Sequence, residues 1–523
     1  WTITDGGGVP YAPFTYTIDT TLGTGTDDFT APIQGTNVKV DTSDGQSFNL
    51  TTGGPLTITF PAPGVYTIEI SGGLTGHSFN NVGDKLKFLD VVQWGDPRWT
   101  YFERMFWGCR NMTMSATDTP DLRLVSSLLL TFRDTTFNTS IDNWDVSRVS
   151  TLTSVFYASE YNQPLNSWNV SRVYSLYSSF TGAKFNMPLS NWNTFRLSSL
   201  YATFRDNNLF NQDLRNWDVS GVTDVGYAPF RGSPISGNYL EGWDVRTFNT
   251  FYGMFEYSSG NPDLSSWDVS YQTPFTNMFA GSNFNSDISS WVVKRALDFS
   301  GMFNRNILFN QPIGSWDTSQ LRNVSQMFYK NVATLSAFDQ DLSGWNVSKL
   351  TQASLFLSST SAAFEVKLST ANYDATLISW GNQDVASNVV ISFGRSEYTG
   401  AGFVNVAREK LVNDYGWTIT DGGANIDNVF VFTVNTSIVQ DWNASADNQF
   451  TIPFSPSSVI NCFVEWGDGT YDVITTWDQP ERLHTYPVPG VYEIRMSGDV
   501  NGFLRNGDKR KFANISNWGC LVM

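Results

Sequence analysis

The sequence predicts a β-rich repeat protein: a central solenoid of short strands and short helices, flanked by two small β-sandwiches. Three observations predict it. A tryptophan recurs at Trp144, Trp168, Trp192, Trp217, Trp243, Trp267, Trp291, Trp316 and Trp345, in steps of 24 to 29 residues, and a fixed period of this length marks a stack of one coil per repeat. The segments on either side alternate polar and apolar residues in short runs broken by Gly, Pro and Asp, the pattern of small antiparallel sheets. Pieces of the first flank also return in the second: Pro63-Gly64-Val65-Tyr66 as Pro489-Gly490-Val491-Tyr492, and Trp94-Gly95 as Trp518-Gly519.

The repeat has a physical grammar. Three residues before each tryptophan stands Leu or Ile (Ile141, Leu165, Leu189, Leu214, Leu240, Leu264, Ile288, Ile313, Leu342), and two after it Val or Thr, as at Val146, Val170 and Thr194. Residues i and i+2 share one side of an extended segment. Seven before is usually an aromatic, as at Phe137, Tyr161 and Phe210, and twelve after usually Phe, as at Phe156, Phe180 and Phe204. One coil cannot bury all of these; stacked coils can. Each coil is expected to hold a short strand around Leu-x-x-Trp-Asp-Val and a turn of helix before the Met-Phe or Ser-Phe pair.

Phe210-Asn-Gln-Asp-Leu-Arg-Asn-Trp-Asp-Val-Ser220, followed by Val-Thr, is the fullest copy, and Met-Phe closes the repeat elsewhere, as at Met254-Phe255. It resembles the BspA-type leucine-rich repeat of bacterial surface proteins over about residues 137–356. The resemblance implies a leucine-rich-repeat-like solenoid, an extracellular setting and a part in adhesion. Members also occur in protozoa and virus genomes, which keeps a virion surface as the alternative setting.

The chain has 523 residues, a formal charge of −17 and a pI near 4.5. That balance disfavours nucleic acid and anionic lipid, which call for clustered Lys and Arg. Charged and aromatic residues each make up 15%, so Asn, Ser, Thr and Gly carry most of the surface, as suits an extracellular β-rich protein. No apolar run reaches the roughly 18 residues of a membrane helix. Cys109, Cys462 and Cys520 are odd in number and far apart, which suggests no disulfide framework.

In chain order, residues 1–8 (Trp1-Thr-Ile-Thr-Asp-Gly-Gly onward) read as the end of a preceding solenoid cap, because the phrase recurs at Trp417 to Gly423 after a helix predicted over Gly402 to Tyr415. Residues 9–95 form the first sandwich, 96–136 the solenoid's opening cap, 137–357 the repeats, 358–423 a closing cap with its helix, and 424–519 the second sandwich. Residues 520–523 begin a further solenoid or a tail. The second sandwich carries Trp466-Gly467-Asp468-Gly469, then His484-Thr485-Tyr486. These motifs resemble the PKD-type immunoglobulin-like domain. The first copy has Thr42-Ser43-Asp44-Gly45 and Ile58-Thr59-Phe60 instead, and is PKD-like through internal homology alone.

Four features are candidate sites. The polar residue after each tryptophan (Asp145, Asn169, Asn193, Asp218, Asp244, Asp268, Asp317, Asn346) reads as a ladder satisfying backbone amides in turns. The competing reading is a file of calcium sites, although the ligand-rich loop that calcium needs is missing. The tryptophans read as packed core, with a sugar-stacking platform as the competitor. Trp466, Gly467, Asp468, Gly469, His484 and Tyr486 read as a structural hairpin motif rather than a catalytic or metal site, since neither His77 nor His484 has a partner Cys or Ser motif. Cys520-Leu-Val-Met523 matches a prenylation box, but its neighbours continue a sandwich-to-solenoid junction, which favours a chance match.

The expectation is a non-enzymatic extracellular modular repeat protein without cofactor: a surface adhesin or fibre-forming structural protein presenting a protein- or glycan-binding face. A virion fibre or head-to-tail filament subunit is the second reading, and a carbohydrate-binding or carbohydrate-active module the third. Expected partners are further copies head to tail or a longer parent chain, and a host or neighbour-cell surface protein or glycan; nucleic acid and direct membrane insertion are not expected.

Overall fold

The computed structural model describes residues 11–23, 27–272, 274–330, 335–358, 366–438, 444–456, 460–502, 508–519 and 521–522. The expected cap end at 1–8, Cys520 and Met523 lie outside them. The described chain is β-rich with two α-helices, several small sheets and no closed barrel. It divides into two compact units, residues 1–296 with 302–306, and 297–301 with 307–523.

The first unit opens with strands β1 (Phe14–Asp19), β2 (Asp28–Thr42), β3 (Ser47–Thr52), β4 (Pro55–Thr59), β5 (Val65–His77), β6 (Phe88–Gln93) and β7 (Thr113–Met114). They form one connected sheet in the order β3-β2-β5-β1-β6-β7, with β4 also on β2. β2 is long because it serves two sets of partners: Asp28 to Pro32 pair with β4, and Ile33 to Thr42 with β5. Its alternating Phe29, Ala31, Ile33, Val38 and Val40 are buried. All pairings are antiparallel except β6 with β7, which is parallel. His77 is fully buried among Phe14, Tyr16 and Phe79, and that burial pushes its pKa down to about 3.

The repeats of this unit do not follow the expected secondary structure. The Leu-x-x-Trp segment is a tight turn, not a strand: Trp168 N–H donates to the Leu165 carbonyl at 3.2 Å, and Trp192 N–H to Leu189 at 3.1 Å. The next Asp or Asn then bonds its own backbone, which competes with extended pairing. Parallel contact falls seven residues later in most repeats, as single bridges Ser127↔Thr151, Thr151↔Ser175, Ser175↔Ser199 and Ser199↔Asp224.

The expected turn of helix is also absent; a run of successive tight turns takes its place. Two positions per repeat are left-handed, the first at Ser154, Ser178, Ala202, Ala228, Gly253 and Asn277, the second at Ala158, Gly182, Asp206, Gly232, Tyr257, Gly281 and Arg305. A right-handed helix cannot pass through them. In exchange, alternate amides point along the stack. Leu152, Ser154, Phe156 and Ala158 donate to the carbonyls of Ser175, Tyr177, Ser179 and Thr181 at 2.8–3.1 Å. The phenylalanines twelve or so after each tryptophan form a buried column, with Phe132, Phe156, Phe180, Phe204, Phe230, Phe255, Phe279 and Phe303 stacked at 5.4–5.8 Å.

The second unit contains the repeats around Trp316 and Trp345, bridged by Asp298↔Asn323 and Asn323↔Gln352. Helix α1 (Thr370–Gly381) follows, then β8 (Val390–Ser392), β9 (Glu397–Thr399), α2 (Phe403–Asn413), β10 (Thr418–Thr420) and β11 (Gly423–Asn425). α1 is a helix the sequence reading did not anticipate; its N-cap is Ser369, whose hydroxyl accepts from Asn372 N–H. Trp380, in its last turn, donates from Nε1 to the Leu342 carbonyl at 3.1 Å. β10 pairs with β8 and β11 with β9, both parallel. Asp421 joins the two helices, accepting from Tyr373 Oη and Arg408 Nε at 2.8 Å each.

The unit continues with β12 (Phe430–Asn435), β13 (Gln449–Thr451), β14 (Ile460–Glu465), β15 (Tyr471–Ile474), β16 (Leu483–Thr485), β17 (Val491–Asn501), β18 (Phe512–Trp518) and β19 (Leu521–Val522). Six form a sheet in the order β15-β14-β17-β12-β18, with β19 on β17, while β13 and β16 pair separately. Phe432, Phe450, Ile452, Val464, Trp466 and Ile494 share one core. β12 against β18 repeats the register of β1 against β6, both with irregularities after the second and fourth residues of the first strand.

The left-handed positions carry a measurable cost. Gln326 is exposed with φ +58°, at a place where other repeats have Gly253 and Gly301. Gln326→Gly is expected to stabilise the chain by about 1 kcal/mol, read as a higher midpoint in urea.

Candidate binding surface and repeat core

The nine tryptophans Trp144, Trp168, Trp192, Trp217, Trp243, Trp267, Trp291, Trp316 and Trp345 are 1–4% exposed. A buried indole N–H usually finds an acceptor, and the repeat supplies one. Nε1 of Trp168, Trp192, Trp217, Trp243, Trp267 and Trp291 donates to the carbonyl of Ile141, Leu165, Leu189, Leu214, Leu240 and Leu264 respectively, at 2.8–3.0 Å. In the second unit Trp345 does the same to Ile313 at 2.9 Å. Their faces lie in the interior, where a sugar cannot reach them.

The residues after the tryptophans act within their own turns. Oδ1 of Asp145, Asn169, Asn193, Asp218, Asp244, Asp268, Asp317 and Asn346 each accepts the N–H two residues on, at 3.0–3.4 Å. They form a file of separate Asx turns, not bonds from coil to coil. Hydrogen bonds from the Ser147 side chain and backbone hold the Asp145 carboxyl below its usual range, and the Arg246 guanidinium does the same for Asp244. Among the described residues no group of three or more His, Cys, Asp or Glu gathers to hold a metal.

A second file does run between coils, six residues before the tryptophan. Oδ1 of Asn138, Asn162 and Asn186 accepts the N–H of Asn162, Asn186 and Asn211 at 2.7–2.9 Å, and Asn310 does so for Asp339 at 2.9 Å. Its signal was in the sequence: the Asn of Phe-Asn-Gln recurs at the repeat period.

The surface of the first unit holds a feature the repeat does not require. Just before the first left-handed position, the repeats have Thr153, Tyr177, Tyr201, Tyr227, Tyr252 and Thr276, so four consecutive coils carry tyrosine. Tyr177 and Tyr201 stack at 4.3 Å, and Tyr201 and Tyr227 at 5.9 Å. Tyr227 and Tyr252 remain nearly half exposed. Arg205 lies 4.1 Å over the Tyr227 ring and Arg231 5.1 Å over Tyr257. Arg231 is itself held between Asp206 at 2.6 Å and Glu256 at 3.0 Å. The column is therefore an amphipathic strip bordered by both charge signs.

The Trp466 motif is built as a hairpin. Gly467 has φ +79°, and a Cβ there would collide with the Glu493 carbonyl. Trp466 stacks on His484 at 4.7 Å, and Tyr486 meets the His484 ring edge-on at 4.6 Å. His484 Nε2 lies 2.8 Å from Asp468 Oδ2. Asp468 Oδ1 accepts from Thr470 N–H and Oγ1 across the Gly469 turn. Burial alone would raise the Asp468 pKa, but the Thr470 and His484 bonds outweigh it and leave it lowered.

Glu465, just before that motif, was not singled out from the sequence because its importance depends on α2, 60 residues earlier. It faces a cavity of about 340 Å³ with Asn405 and Glu409 of α2 and Arg495 of β17. Its Oε2 is 3.3 Å from Asn405 Nδ2, while Oε1 is buried without a hydrogen-bond partner among the described residues. Burial pushes its pKa up to about 7.

This architecture defines a β-rich tandem-repeat protein. The family model described as "Mycoplasma protein of unknown function, DUF285" matches residues 100–194, 126–234, 158–264 and 249–371, a little over half of the chain. The chain belongs to that family. Among curated proteins and among solved structures no match was found.

Two predictions test these interactions. Trp217→Phe keeps a ring but removes the N–H to Leu189, and is expected to cost about 1–2 kcal/mol; Trp217→Ala should cost about 3–5 kcal/mol, both read by urea denaturation. For Glu465, the folded state keeps a proton that the unfolded chain gives up near about pH 4.3. Its stabilising effect is complete below that pH and is lost as pH rises through about 7. Glu465→Gln is therefore expected to stabilise the second unit at pH 8 by roughly 1–2 kcal/mol after solvent screening, with little difference at pH 4.

Proposed function

We propose that this chain is a non-catalytic, extracellular repeat protein of a cell surface that binds a protein partner through the tyrosine column of its first unit. The reading takes the repeats as a leucine-rich-repeat-like solenoid of the BspA type and the flanking sheets as immunoglobulin-like, PKD-like modules, all serving to hold and space that face.

One observation carries it: Tyr177, Tyr201, Tyr227 and Tyr252 replace the small Ser or Thr of other repeats on four consecutive coils, outside the core. Tyrosine supplies large contact area at low entropic cost, and tyrosine and arginine are both enriched at binding hot spots. The ring geometry favours protein over glycan. A sugar stacks on an open ring face, whereas Tyr177, Tyr201 and Tyr227 spend their faces on one another. What they present outward is edges and hydroxyls, beside the paired charges of Arg231, Asp206 and Glu256. The formal charge of −17 adds weight against nucleic acid.

Exchanging Tyr201 and Tyr227 together for the repeat's own serine tests the reading. The double variant should keep its urea midpoint to within about 0.5 kcal/mol and lose at least about tenfold in binding to intact cells. Protease treatment of the cells should abolish wild-type binding and glycosidase treatment should spare it. Undiminished binding by the variant would overturn the tyrosine column, and binding lost only to glycosidase would overturn the protein partner.

A further inference from the structure

The two flanking sheets differ at one edge. In the first unit, β6 has β1 on one side and β7 on the other: Asp90 pairs with Thr113 and Val91 with Met114 in parallel. The Val91 carbonyl accepts Ser115 N–H and Ala116 N–H at 3.0 and 2.9 Å. The Asp118 carboxylate accepts the N–H groups of Trp94 and Gly95. Phe88, Val91 and Trp94 are all fully buried, with Trp94 packed against Trp99, Phe102 and Trp144. The sheet edge and the leading end of the repeat array thus cover each other.

In the second unit β18 occupies the place of β6. It has the same register irregularities against β12 as β6 has against β1, and Phe512, Ile515 and Trp518 stand where Phe88, Val91 and Trp94 stand. Its other edge has no strand among the described residues. Phe512 and Ile515 are only half-buried, and Trp518 is 50% exposed against 0% for Trp94. An apolar edge with free backbone groups and a large exposed indole is a template for pairing.

From this comparison we infer that the free edge of β18 is a docking edge for the leading end of a further array of the same repeats, taken up in parallel as Thr113–Met114 is taken up by β6. The occupant is argued from the chain itself, since the homologous edge is covered in this way one unit earlier. The indole of Trp518 would then be sealed by aromatics in the places of Trp99, Phe102 and Trp144. A second copy of the whole chain does not supply this occupant, because its own leading repeats are already engaged by its β6. The inference is independent of the tyrosine column, and either can fail without the other.

The test joins a second copy of residues 96–306 directly after Gly519 and follows two probes against the unaltered chain: hydrogen exchange across residues 512–518 and oxidative footprinting of Trp518. Exchange is expected to slow by at least about tenfold, with Trp518 falling to the protection of Trp94. If the added array folds, by protection of its own amides, and residues 512–518 are unchanged, the inference is overturned. Placing Ile515→Asp in the extended chain should remove the protection at 512–518 alone; protection that persists would also overturn it. Protection that arises in the unextended chain as its concentration is raised would make the occupant a second copy, and would overturn the assignment made here.

Discussion

One carbonyl per repeat, that of the Leu or Ile three residues before the tryptophan, organises the array. Leu165 accepts the backbone N–H of Trp168 in its own turn and the indole N–H of Trp192 in the next; Leu189 does the same for Trp192 and Trp217. The first bond closes the turn and the second sets the next coil's distance and register. A tryptophan with its N–H satisfied can be buried in every coil without leaving an orphaned donor. The phenylalanine column and the alternate backbone amides then fall into place at the same rise.

Much of this was legible in the sequence. The period, the identity of the core residues and the kinship of the two flanking sheets all followed from repeated letters. The backbone path did not. Leu-x-x-Trp-Asp-Val looked extended because Trp and Val are both buried at i and i+2, but a turn closed by Trp168 N–H and Leu165 also buries both. The left-handed positions were hidden because Ser154, Ala202 and Ala228 are ordinary residues there, and the glycines that betray the geometry, Gly182, Gly232, Gly253, Gly281 and Gly301, are scattered among them. What holds them is the ladder of bonds between coils, which a local reading cannot see.

The same distinction applies to the surface and the cavity. The tyrosine column is a departure from the repeat, visible only once Tyr177, Tyr201, Tyr227 and Tyr252 are known to share a face. Glu465 became conspicuous only through α2, which brings Asn405 and Glu409 to it. By contrast, the Trp466-Gly467-Asp468-Gly469 hairpin with His484 is local enough for its motif to suggest a structural role, and Asp468 bonds both Thr470 and His484 within it.

The direction of the hydrogen bonds has a mechanical meaning. Between coils of the first unit they run from Leu152, Ser154, Phe156 and Ala158 to the next coil, along the stacking direction rather than across it. Force applied to the two ends of such an array loads its interfaces in series, so each carries the same tension and the weakest gives way first. Each coil of 24 or so residues releases up to about 80 Å of chain when it peels away. An array of this kind yields by lengthening in steps, and absorbs a pull that a sheet sheared along its strands would resist until it broke at once.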